Sequence, residues 1–333
     1  MVDFVLRIFA RKNSHRNSIL DQSDMSDMPV TLRSRTFEGR VAGSHLLITG
    51  GVHGDEFEPM EAIRGLIRAF DDESNPLVLI QGSVTLVPVV NEAAFVRGHR
   101  MADDEKDLAR TCPGSADGTI TERTAHALSG LIRDADFYID LHTGGTELSV
   151  YPLTGYVLHP NAEILDKQRA MARAFNLPFI WGTSPELKGR SLSVARDAGV
   201  PAIYAEYLGS SVCDPVGVEA YVDGCLNVMA HLGMLDRPQP ASRIEHVVED
   251  TRPDSGHMQI CNPSPTTGYF QPAVSLGQTV KRGELLGTVC DATGNGQAPM
   301  HSSQTGVIVV LRTFPRVRKG ETVCVIAETE INS

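Results

Sequence analysis

The chain has 333 residues, of which 41% are hydrophobic and 21% charged, and its formal net charge is −11. That balance is ordinary for a globular protein with enough chain to bury a core, sized for one large domain plus a smaller one. The acidic charge disfavours non-specific binding to nucleic acid or to an anionic membrane surface, and no apolar run has the length of a membrane-spanning helix.

Residues 1–28 read as a polar extension rich in Ser, Asp and Asn. Its opening apolar stretch is short, carries Asp3 and Arg7, and lacks a small-residue cleavage site, so it reads as an extension rather than as a secretory signal. A catalytic-sized domain is expected over 29–238. Within it, "HLLIT" reads as a strand and "EPMEAIRGLIRAF" as a helix, with Met60, Ile63, Ile67 and Phe70 at helical spacing. "VTLVPVV" is a strand, "ERTAHALSGLIRDA" a helix, "DFYIDL" a strand, "AEILDKQRAMARAF" a helix and "PAIYAEY" a strand. "DPVGVEAYVDGCLNVMAHLG" is a long helix opened by Asp214-Pro215 and stopped at Gly233. Strands that alternate with helices, several of them apolar throughout, predict an α/β fold: a mostly parallel, mixed sheet with helices on both faces.

"DRPQPASR" (236–243) is linker-like, and beyond it the helical period vanishes. Short runs punctuated by Gly and Pro predict a small all-β, barrel-like domain over 250–331. "LGQTVKRGELLGTV" and "FPRVRKGETVCVIA" echo each other as a weak internal repeat. The six cysteines (Cys112, Cys213, Cys225, Cys261, Cys290, Cys324) form no CxxC pair and read as reduced thiols of a cytoplasmic protein.

Chemistry gathers at the expected carboxyl ends of the strands, where open parallel sheets bind ligands. In "TGGVHGDEFEP", His53 and Glu56 follow a strand and its two glycines directly. The spacing alone is weak, but the strand "DFYIDL" runs into His142, "VTLVPVV" leads to Asn91, and "PAIYAEY" carries Glu206 near its end. His53, Glu56 and His142 make a His₂Glu set, a catalytic zinc arrangement with one position left open. Glu206 is then the carboxylate that exchanges protons with water and the leaving nitrogen. Arg97, Arg100 and Arg110 crowd the loop after Asn91, where a guanidinium can stabilise an oxyanion or hold a carboxylate. His45, His99, His126, His159 and His301 lie off this pattern.

"GGVHGDE", "VNEAAFVRGHR", "DLAR", "DLHTGG" and "PAIYAEYLG", in this order, resemble the succinylglutamate desuccinylase/aspartoacylase family of the zinc carboxypeptidase-like superfamily. The resemblance spans about 40–330, and one bacterial subgroup also ends in a small β-barrel. It implies one zinc ion per chain on His53, Glu56 and His142, Glu206 as general base and acid, and Arg100 as the oxyanion-stabilising arginine. It also implies substrate-binding roles for Asn91, Arg110 and Arg190. Two departures stand out: Glu92 replaces the usual proline of the Asn-Pro motif, and Ala109 replaces the asparagine of Asp-Leu-Asn-Arg, which counts against a true carboxypeptidase. In the barrel, "APMHSSQTGVI" places Met300 and His301 where a biotinyl or lipoyl carrier shows its modified lysine, so the likeness to such carriers is of shape only.

The expected function is zinc-dependent hydrolysis of the amide bond of a small N-acyl amino acid or related compound. The partner is that small molecule, with no nucleic acid and no membrane, and a homo-oligomer is compatible with the sequence. A metallocarboxypeptidase acting on peptides is one alternative, and a non-catalytic protein that binds ligands in the same cleft is another.

Overall fold

The computed structural model describes residues 30–253, 255, 256, 258 and 261–329, so the expected extension over 1–28 lies outside the described residues. In chain order the first part runs β1 (Arg35–Glu38), β2 (Val41–Thr49), α1 (Phe57–Phe70), β3 (Gln81–Val87), α2 (Glu92–Arg97), α3 (Ile120–Arg133), β4 (Phe137–His142) and β5 (Leu148–Val157). It continues through α4 (Ala162–Phe175), β6 (Phe179–Thr183), α5 (Ser191–Ala198), β7 (Ala202–Gly209) and α6 (Pro215–His231). Then follow β8 (His246–Glu249), β9 (Gly268–Pro272), β10 (Thr279–Val280), β11 (Leu285–Cys290), β12 (Ala298–His301), β13 (Gly306–Arg312), β14 (Arg316–Val317) and β15 (Cys324–Ala327).

The main sheet is mixed. β3, β2, β4 and β7 are parallel neighbours, whereas β1 and β5 join antiparallel at either side of this group. Both faces are covered, and the alternation of side chains shows how. Leu46 and Ile48 of β2 pack with α1, α4 and α6, while Leu47 between them packs with α3 and α5. A strand buried on both faces must be apolar at every position, which is why "HLLIT" carries no polar alternation.

The helix boundaries follow local chemistry. Asn161 caps α4 by accepting from the amides of Glu163 and Ile164, and Asn176 closes it in the left-handed region. Asp214 caps α6, with Pro215 in its first turn. Strand β3 ends at Val87, short of the expected "VTLVPVV", because Pro88 has no N–H to continue the ladder.

The expected barrel is met in part. β12, β11, β9 and β14 form a separate antiparallel sheet of four strands. β10, β13 and β15 instead join the main sheet, since β13 pairs with β5 through Val310–Val150, Leu311–Ser149 and Arg312–Leu148. The two groups enclose a shared apolar core that includes Phe270, Leu286, Val289, Ile308, Val317 and Ile326. Arg312 is almost fully buried and reinforces the junction: it donates to the carbonyl of Thr322 (2.9 Å) and pairs with Glu147 (3.2 Å) in the loop after β4. Among the described residues no helix is long and apolar enough to cross a membrane.

Glu58, in the first turn of α1, is fully buried. One carboxyl oxygen accepts from the Asp214 amide (3.2 Å), and the other has no partner among the described residues. Burial, with the nearby Asp214 and Glu56 charges adding, pushes its pKa from 4.5 up to about 7. Between those values the unfolded chain releases a proton that the folded chain keeps, so stability falls as pH rises through that window, by on the order of 3 kcal/mol in all. Glu58→Gln removes this slope. The variant is expected to be more stable than the parent near about pH 8, with the gap closing towards about pH 5. Urea unfolding at both pH values checks this, and a pH-independent difference would refute it.

Candidate active site

Three segments meet at the carboxyl ends of β2, β4 and β7. The loop from β2 to α1 carries His53 and ends on Glu56, which occupies the N-cap position of α1. Its side chain makes no cap bond there, because it is committed to two imidazoles. Gly54 lets this loop lie against α2: a Cβ there would stand 2.1 Å from the backbone of Ala94. His142 ends β4, and the parallel register sets it beside Glu206 of β7.

The Nδ1 atoms of His53 and His142 lie 2.6 and 3.1 Å from the two oxygens of Glu56, and the three residues' ligand atoms all fall within 4.8 Å of one another. Each remote Nε2 meets a carboxylate: Asp107 at 3.0 Å for His53 and Asp140 at 3.1 Å for His142. A proton held at Nε2 by a carboxylate turns the Nδ1 lone pair of a neutral imidazole inward, the arrangement found around metal-ligating histidines. The donor set therefore fits a divalent cation. Without one, burial would raise the Glu56 carboxyl, but the flanking His53 and His142 outweigh it and hold it far below the usual carboxylate range. Burial opposes charge on His142 as well, yet Asp140 and Glu56 hold its pKa well above the usual imidazole value. A cation would replace this proton.

Asp140 is itself anchored by Thr49 (2.8 Å) and Ser191. The Tyr221 hydroxyl donates to the His142 carbonyl and fixes the strand end. Asp55 accepts from the amide (2.9 Å) and hydroxyl (2.8 Å) of Thr146, which ties the His53 loop to the loop after His142.

Glu206 is buried at 6% exposure, and its Oε2 has no partner among the described residues. Burial, aided by the Glu56 and Asp140 charges and opposed by His142 and Arg100, raises its pKa to about 8. Arg100 reaches the same cleft. Its Nη2 and Nε lie 3.0 and 3.3 Å from Asp107 Oδ2, and its Nη1 is 3.9 Å from Glu56. Arg110 and Arg190 line the cleft too. The Arg110 guanidinium is held down to about 10, first by desolvation and then by the charge of Arg190. Arg190 donates to the Gly256 carbonyl at 3.1 Å.

Two candidates also brace the local backbone. Asn91 caps α2 by accepting from the Ala94 amide (3.1 Å), and it is not among the residues lining the cleft. Arg97 braces its own loop through the carbonyls of Met101 (3.3 Å) and Ala102 (2.7 Å). Asp107 and Asp140 were not singled out from the sequence, although signals for them existed. Asp107 opens "DLAR", and Asp140 lies two residues before His142 on one strand, so both of the latter point to one face.

The model of the succinylglutamate desuccinylase/aspartoacylase catalytic domain matches residues 42–232. The chain belongs to this family. Within it, the chain is 29% identical to the Nα-acetyl-L-2,4-diaminobutyric acid deacetylase of Halomonas elongata over 316 residues, which cover 90% of this chain and 85% of that one. A succinylglutamate desuccinylase/aspartoacylase structure from Rhodobacter sphaeroides superposes with a TM-score of 0.77 at 27% identity, covering 89% of this chain and 88% of that one. The ectoine utilization protein EutE (DoeB) of Ruegeria pomeroyi, in a product-bound structure, shares the fold with a TM-score of 0.78 at 24% identity over 90% of each chain.

Proposed function

We propose that the protein hydrolyses the amide bond of a small N-acyl amino acid, releasing a carboxylic acid and a free amine. The observation that carries this reading is the meeting of the His53–Glu56–His142 donor set with the buried, partly unpartnered carboxyl of Glu206 in one cleft. Membership of the desuccinylase/aspartoacylase family and the deacetylase relative support the bond type.

His53, Glu56 and His142 would hold one zinc ion per chain, the His₂Glu choice that leaves a position open. Zinc bound there supplies Lewis acidity to water and to the amide carbonyl. Glu206 takes the proton of the attacking water and delivers it to the leaving nitrogen, and a pKa near neutrality suits a group that must do both. Arg100, held by Asp107, presents its guanidinium to the developing oxyanion. Arg110 and Arg190 together hold the substrate carboxylate. Asn91 acts at one remove, by fixing the start of α2 and so the loop that leads to Arg100.

The test is release of free amine by the zinc-loaded protein. N-acetyl, N-succinyl and N-formyl amino acids are compared with short peptides and with acylated amines that lack the carboxylate. Acyl amino acids are expected to be the better substrates. Equal rates on the carboxylate-free amines would remove the role given to Arg110 and Arg190. Faster cleavage of peptides would favour a carboxypeptidase.

A further inference from the structure

We infer that the cleft selects substrates that carry one carboxylate and, elsewhere, an uncharged apolar group. This rests on the deacylase reading above and narrows its substrate class. Arg100, Arg110 and Arg190 give the cleft lining its guanidinium charges. The same lining holds aliphatic side chains: Val150 and Val157 of β5, Leu187, Leu192 of α5 and Val310 of β13. Among the described residues that line the cleft, the only carboxylates are Glu56 and Glu206, and both are already committed to the metal donor set and to proton transfer.

Tyr204 and Glu206 lie two residues apart on β7 and share a face. The Tyr204 ring lies against Gly155 of β5, where a Cβ would stand 2.2 Å from the ring. The absent side chain makes room for the ring over β5, and Tyr204, Glu206 and Val157 all line the cleft.

This lining discriminates by charge. A second ammonium on the substrate, such as the one implied by the name of the Halomonas elongata relative's substrate, would find no uncommitted carboxylate among these residues. A second carboxylate would find, among these residues, no cation beyond the arginines and histidines already assigned. Either charge loses its water without gaining a partner. An aliphatic group placed there is favoured by its own desolvation. That group can be the side chain of the amino acid or the chain of the acyl group.

The experiment compares kcat/KM of the zinc-loaded full-length protein for N-acetylleucine, N-hexanoylglycine, N-acetylaspartate and Nα-acetyl-2,4-diaminobutyrate. At least one of the first two is expected to exceed both charged compounds by about 10-fold or more. A lead for N-acetylleucine assigns the aliphatic lining to the side chain, and a lead for N-hexanoylglycine assigns it to the acyl chain. Preference for either charged compound overturns the inference while leaving the deacylase reading intact.

Calorimetric binding of the same four compounds to Glu206→Gln gives a second readout that needs no turnover. If the wild type cleaves none of them, the deacylase reading fails, and the binding order alone then supports or overturns the inference. Leu187 is half-buried in a loop, a position that tolerates change. Leu187→Asp is expected to shift the ratio of diaminobutyrate to leucine compound upward by about 10-fold or more. An unchanged ratio in a folded variant counts against the aliphatic lining as the selecting element.

Discussion

Glu206→Gln is expected to keep its metal, bind substrate with similar affinity and lose about 10²–10⁴-fold in kcat. The size of the effect follows from the single function removed. Glutamine has the shape and polarity of the carboxyl but accepts no proton from water. Glu206 stands beside His142 in the β4–β7 register, yet the donor set is complete without it. The fold should not suffer either. The carboxyl is buried with one oxygen unpartnered, and the amide has the same shape and size, so the packing around it is kept. Elemental analysis and steady-state kinetics on one preparation separate the outcomes. Turnover near that of the wild type excludes Glu206 as the proton-transfer group. A parallel loss of metal makes it a ligand instead.

Much of this site was legible because its residues sit at strand ends, and strand ends can be found from apolar runs. His53, Glu56, His142 and Glu206 each follow or close such a run, and the fold brings them to one edge. The supports were harder to see. Asp140 hides inside the strand "DFYIDL", where a buried carboxylate looks like an interruption until His142, Thr49 and Ser191 are placed around it. Asp107 gains its meaning only when the chain folds it between His53 and Arg100, 54 residues and 7 residues away. Strand β5 gives no clear signal because Pro152 and Gly155 break its pattern, and helix α5 gives none because eight residues are too few to show a period. The pairing of β13 with β5 joins segments far apart in sequence, and no local signal in either one specifies it. That pairing brings Val310 into the lining of the cleft. Asn91 shows what the sequence hides: beside the substrate-binding role that the family resemblance implies, its side chain caps a short helix.

His142→Ala should lose most of the bound zinc and, with it, measurable turnover. The proposed donor set has three side chains, and removing one leaves two, fewer than a catalytic zinc site uses. The substitution also strands a charge. Asp140 is fully buried, and although burial favours its neutral form, the charge of His142 outweighs this and keeps it ionised. Taking away one member of such a pair costs about 3–5 kcal/mol, so the single variant is expected to be destabilised as well as metal-free. Adding Asp140→Asn to His142→Ala removes the stranded carboxylate while Thr49 and Ser191 can still hydrogen-bond the amide. The double variant should therefore recover stability without recovering zinc. Asp140→Asn alone leaves all three donors but loosens the orientation of His142, and it should weaken zinc binding by about 10- to 100-fold. Elemental analysis, competition with a chelator and urea unfolding, run on the three variants and the parent, distinguish ligand, orienting group and buried pair. Equal zinc content in the parent and His142→Ala would refute the donor set.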